Sequence, residues 1–255
     1  IFDILNYLKT DKTLIQNLKV HFIPMLNPDG TETFSRRNAI GIDINRDALQ
    51  LQSPESRILK RARDSLEADF GFNLHDQSKY NNPKSTPAPA TVSFLAPAFN
   101  HEKDINQTRG DAMRVIVEMN AVIQRYAKGQ VGRYSDEFEP RAFGDNLQKW
   151  GTSTILIESG GYQNDPEKQF IRKLNFVSIL SALHAISTQK YTEAGLDDYL
   201  SIPRNDRKLF DLKIENLTFN YLGNNYTIDV GIRHYEIENK DHSDFYYKGR
   251  VVELG

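Results

Sequence analysis

Between residues 19 and 189, short apolar runs alternate with longer stretches of helical periodicity. That order restricts the chain to α/β architectures in which much of the sheet is parallel. Four runs read as strands: Lys19 to Leu26, "FGFNLHD" (70–76), "TVSFLAP" (91–97) and "STILIESGG" (153–161). The last is too short for a helix and stops at glycines, as a buried strand does. Helical segments lie around them. "IFDILNYLKTD" puts Ile1, Ile4, Leu5 and Leu8 on one face. Ser53, Pro54 and Glu55 supply a capping hydroxyl, a first-turn proline and an acid beside the dipole's positive end, starting a helix that runs to about Ala68. Residues 107–127 carry Met113, Ile116, Val117, Met119, Val122, Ile123 and Tyr126 at helical spacing. A further helix spans roughly Pro166 to Gln189.

The expected fold is thus α/β, a mixed and largely parallel sheet flanked by helices, within a domain of residues 1–189. Residues 190–208 are polar and unperiodic and read as a linker. Residues 209–255 alternate with period two around a Gly-Asn-Asn turn and read as a small β appendage.

Composition narrows the function. The 255 residues carry a formal charge of -2, so no global field points to nucleic acid or an anionic membrane. With no cysteine there are no disulfides, thiolate metal sites or cysteine nucleophiles. No apolar run approaches the eighteen or so residues of a spanning helix. The chain opens without methionine inside a helical pattern, and the expectation is that an upstream portion has been removed. Lack of cysteine does not fix the compartment; a periplasmic or secreted location is expected.

In open α/β sheets, ligands gather at the carboxyl ends of strands. Three polar groups stand at such ends: the cluster Arg36, Arg37, Asn38, Asn45 and Arg46 after Leu26, then His75 after "FGFNL", then Glu158 after "STILI". Taken singly, His75 would most often be a hydrogen-bonded structural residue and the arginines surface groups. Glu158 is harder to dismiss, because a carboxylate after three apolar strand residues is costly to bury unpaired.

Together, "NPDG…SRRNAIGIDINRD", "FNLHDQ" and "ILIESGG", in that order, resemble the zinc carboxypeptidase family that includes pancreatic carboxypeptidase A. The resemblance covers roughly residues 1–189. It implies a zinc-dependent hydrolase of peptides with a free C-terminal carboxylate. His75 would be the downstream zinc-binding histidine and Glu158 the general base. Arg36, in preference to Arg37, would polarise the scissile carbonyl, and Asn45 with Arg46 would grip the substrate's carboxylate. Tyr134 stands at about the distance before Glu158 of the family's mobile lid tyrosine. Asp145 falls where the family lines its specificity pocket, which hints at a basic side chain. A guanidinium offers a two-pronged donor to a carboxylate, and an oxyanion needs a preorganised cation, so the residue types suit these roles.

One part is missing. The family's zinc is held by two histidines and a glutamate, two of them from a His-x-x-Glu motif. No His-x-x-Glu occurs in these residues, and "HFIP" puts Pro24 where His21 would need the glutamate. The expectation is truncation just downstream of that motif, leaving a fragment without zinc or activity. Two rivals stay open: a peptide-binding pseudoenzyme that has lost its metal site, and an amidase acting on cell-wall peptides. His21, His101, His184, His234 and His242 are expected to be ordinary structural or surface residues.

Overall fold

The computed structural model describes residues 1–241 and 243–255; His242 lies outside the described residues. The chain forms two compact units, Ile1–Arg207 and Lys208–Gly255. In chain order the first contains α1 (Phe2–Thr10), α2 (Pro28–Glu32), α3 (Pro54–Leu66), β1 (Phe70–Asp76), β2 (Asn82–Pro83) and β3 (Val92–Leu95). There follow α4 (Gln107–Ile123), β4 (Val131–Arg133), α5 (Phe143–Lys149), β5 (Ser153–Ser159), α6 (Gln169–Ser187), α7 (Leu196–Leu200) and β6 (Asn205–Asp206). The second contains β7 (Leu212–Tyr221), β8 (Asn224–Glu238) and β9 (Phe245–Leu254).

The main sheet has the order β1-β5-β3-β4. β1 runs parallel to β5 and β3 parallel to β4, while β3 and β5 are antiparallel, so the sheet is mixed and largely parallel as expected. Its central strands are dry: Val92, Phe94, Ile155 and Ile157 are buried, together with Met113, Ile116, Met119 and Ile123 of α4. Each such side chain contributes on the order of 1.5–3 kcal/mol when fully buried. Local chemistry starts the helices where the sequence implies. Ser53 caps α3 by accepting from Ser56 N at 3.1 Å, with proline in its first turn. Asn106 caps α4 through Arg109 N at 2.9 Å.

Two expectations fail. Lys19 to Leu26 is not a strand, and among the described residues it pairs with none. Its alternation is real: Val20 and Phe22 pack on the core while Ile23 and Met25 are 45% and 55% exposed. A strand also needs a ladder partner, and among the described residues this run has none. Residues 190–207 are not a linker either. They hold α7 and β6, bury Tyr199 and Ile202 in the main core, and join β2 through the pair Pro83↔Asn205. The Tyr199 hydroxyl accepts from Ala96 N at 3.1 Å.

The second unit is an antiparallel sheet in the order β7-β8-β9. Its first hairpin closes at Tyr221↔Asn224 over Leu222 and Gly223, whose φ values of 50° and 80° are those of a two-residue turn with both central residues left-handed.

Candidate active site

Register places the chemistry. His75 on β1 lies opposite Glu158 on β5, Glu158 lies opposite Ser93 on β3, and Ser93 lies opposite Gly132 on β4. Residues paired across a sheet share a face, so one row crosses all four strands on one side. Glu158 is only 6% exposed, and among the described residues its carboxylate has no hydrogen-bond or ion-pair partner. Burial pushes its pKa up to about 7, and the charge of Asp76 adds to the rise. His75 moves the opposite way. Burial lowers its pKa, and the positive charges of Arg36 and Arg46 lower it further, which favours the neutral imidazole.

That influence ties the arginine segment to His75. Arg36 Nε donates to Asp43 Oδ2 at 2.7 Å, and Asp43 Oδ1 accepts from Asn45 N at 3.0 Å, capping the turn Ile44–Arg46. Buried Ile44 anchors the turn against Phe143 of α5, with Leu26 and Trp150 packed around them. Asn45 Oδ1 accepts from Phe143 N, at the start of α5, at 3.0 Å. Arg46 donates to Asn45 O at 2.7 Å and lies 3.4 Å from Glu139. Arg37 instead turns back to Gly41 O at 2.7 Å.

Tyr134 follows β4, its N–H donating to Phe94 O at 2.9 Å. Burial raises its hydroxyl pKa and the nearby Glu158 charge raises it further, against the pull of Arg207. Asp145, in the first turn of α5, accepts from Glu139 N at 3.1 Å; burial pushes its pKa up to about 6. A cavity of about 320 Å³ is lined by Ile4, Leu74, His75, Asp76, Ile157, Ser159 and Ile171 among others. Leu74, Asp76, Ile157 and Ser159 alternate with His75 and Glu158, so their side chains occupy the opposite face of the sheet.

The residues present do not make a zinc site. Among the described residues no group of three His, Cys, Asp or Glu side chains could hold a metal ion, and His75 contributes one imidazole. Asp76, its neighbour, is engaged by Lys168. No described helix is long and apolar enough to cross a membrane. Sequence reasoning missed Ser93, Gln77 and Asn205, which lie beside Glu158. Only Gln77 carried a signal, being next but one to His75 in "HDQ".

Comparison with known proteins finds a likeness over part of the chain. The sequence model described as zinc carboxypeptidase matches residues 4–124. Among solved structures, a provisionally named carboxypeptidase A from Shewanella denitrificans OS-217 is similar at 15% identity, with a TM-score of 0.43. That match covers 67% of this chain and 45% of the other, so this chain spans less than half of that protein. No curated protein matches. Tyr134 and Glu158 fall beyond the matched stretch, while the arginine segment and His75 fall within it: residues 4–124 are similar to the zinc carboxypeptidase family.

Proposed function

We propose that residues 1–207 carry the substrate-gripping and proton-accepting side of a zinc carboxypeptidase-type site for peptides with a free C-terminal carboxylate. The observation that supports this best is Glu158, a buried carboxylate with no partner among the described residues, set directly beside His75. A structural carboxylate at that depth would be paired. Poised near neutrality, it suits proton transfer: it would accept a proton from an attacking water and return it to the leaving amine.

The arginine segment would hold the substrate's oxygens. Because Asn45 spends its oxygen on α5, its NH2 end is left to donate to a carboxylate, with the Arg46 guanidinium beside it. Arg36, held at Nε by Asp43, keeps its two outer nitrogens for an oxyanion. Tyr134, kept neutral, would donate its phenol proton to bound peptide. Zinc, when bound, supplies Lewis-acid chemistry. A site of the family's kind would need donors beyond those of the described residues. By itself this chain is expected to purify without stoichiometric zinc and to hydrolyse nothing. The shortage of donors also favours a second reading, non-catalytic peptide binding at the same carboxylate grip.

Calorimetry on the chain as it stands tests the grip shared by both readings. A free-acid peptide should bind at least about tenfold more tightly than its amidated form, since a charge-assisted contact is worth on the order of 1.5–3 kcal/mol. Equal affinities would contradict it. Metal analysis of the same sample tests the zinc expectation: stoichiometric zinc held through His75 would refute it.

A further inference from the structure

Beside Glu158 lies a closed network of neutral polar groups. Ser93 Oγ accepts from Gln77 Nε2 at 2.8 Å and from Asn205 Nδ2 at 2.9 Å, and it donates to Asn205 Oδ1 at 3.1 Å. Gln77 Nε2 also donates to Ala90 O at 3.0 Å, and Gln77 Oε1 accepts from Asn81 at 2.8 Å and Asn205 at 3.0 Å. Ser93 is wholly buried and Gln77 is 7% exposed.

The backbone is arranged to admit the Asn205 amide. A methyl group on Gly132, the row position after Ser93, would lie 1.8 Å from Asn205 Oδ1. The amide therefore occupies the place a side chain would take, extending the row as His75, Glu158, Ser93 and Asn205. The segment is held on both sides, by Arg133 N donating to Pro203 O at 2.7 Å and Lys84 N donating to Arg204 O at 2.8 Å.

A hydroxyl has one proton to give. Cross-strand neighbours have Cβ atoms about 4.5–5.5 Å apart, so the Ser93 hydroxyl and the Glu158 carboxylate are natural partners. They are not partnered, because the proton goes to Asn205. We propose that Asn205 is a positioning residue for Glu158: by taking the only proton of Ser93, it keeps the carboxylate free of any donor and open to the cleft. The proposal rests on Glu158 as the acting carboxylate, and it makes the segment around Asn205 part of the site.

The test is an isotope-edited infrared spectrum of the full chain at alkaline pH, with the Glu158 carboxylate band isolated by difference against Glu158→Gln. Asn205→Ala should shift that band, because the freed Ser93 hydroxyl turns to the carboxylate. Gly132→Ala, whose methyl displaces the amide, should shift it the same way and serves if Asn205→Ala does not fold. Ser93→Ala alone should leave the band in place, and Ser93→Ala with Asn205→Ala should return it to the wild-type position. A band unmoved by both Asn205→Ala and Gly132→Ala overturns the proposal, as does a shift that persists without Ser93. The band does not depend on turnover or peptide affinity, so failure of the proposed function would not be mistaken for failure here.

Discussion

Two acidic strand residues, on different sheets, meet opposite fates. Glu158 lies in a sheet whose central strands are buried on both faces; among the described residues it has no hydrogen-bond or ion-pair partner, and its pKa is raised to about 7. Asp229 lies in the C-terminal sheet, whose flanking strands are largely exposed. It accepts from Asn216 N at 3.0 Å and lies 3.3 Å from Lys213, and both contacts lower its pKa. The first arrangement favours the neutral acid and leaves it ready to exchange a proton; the second favours the ion and fixes it. Depth without a partner separates a group poised to exchange a proton from one that fixes the irregularity of β7 between Ile214 and Leu217.

The largest expected effect follows from removing the proton acceptor. In a form of the protein to which the missing zinc donors are supplied, Glu158→Gln should lower turnover by about a hundred- to ten-thousandfold at unchanged zinc content. Turnover within a few-fold of wild type would place the proton transfer elsewhere. Next comes the grip. Arg46→Ala should weaken a free-acid peptide by roughly tenfold to a hundredfold in calorimetry and leave its amidated form nearly unchanged. Equal loss on both peptides would make Arg46 a structural residue tied to Glu139.

Asp145 is the intermediate case, half-buried, accepting from Glu139 N, with its pKa pushed up to about 6. Its folded state prefers the neutral acid, so its contribution to stability is full below about pH 4 and is lost as pH rises through 6. Asp145→Asn keeps the acceptor for Glu139 N and cannot ionise. The variant should therefore gain on the wild type between those values by on the order of 2 kcal/mol in denaturant titrations. A gap that does not change with pH would refute the raised pKa. At the exposed extreme, Asp229→Asn should leave the thermal midpoint within error of wild type, since screened surface pairs contribute little. A clear drop would mean that this sheet depends on the pair more than its exposure implies.

How much could be read from sequence depended on whether a residue's partners were local. Glu158 and His75 stood out because each is a polar group ending an apolar strand run, and burial of such a group is costly wherever the strand lies. The cap Ser53 acts within three residues and was legible; Asn106, just as local, was not read. Lys19 to Leu26 misled because alternation records burial on one face and carries nothing about a ladder partner. The polar stretch 190–207 misled for a different reason: its anchor Tyr199 bonds Ala96 across the fold, and Asn205 reaches Ser93 from 112 residues away. No local pattern encodes such a contact. Asn45 was found through its motif, while the Phe143 N–H that orients it was not.

The most direct measurement is a carboxyl-carbon NMR titration of the metal-free chain, with the Glu158 signal assigned by its loss in Glu158→Gln. Burial without a partner predicts a midpoint of about 7, so that the group gives up its proton near neutrality. A midpoint in the ordinary carboxylate range, about 4.3 or lower, would mean that water or a donor reaches Glu158, and would contradict its part as proton acceptor.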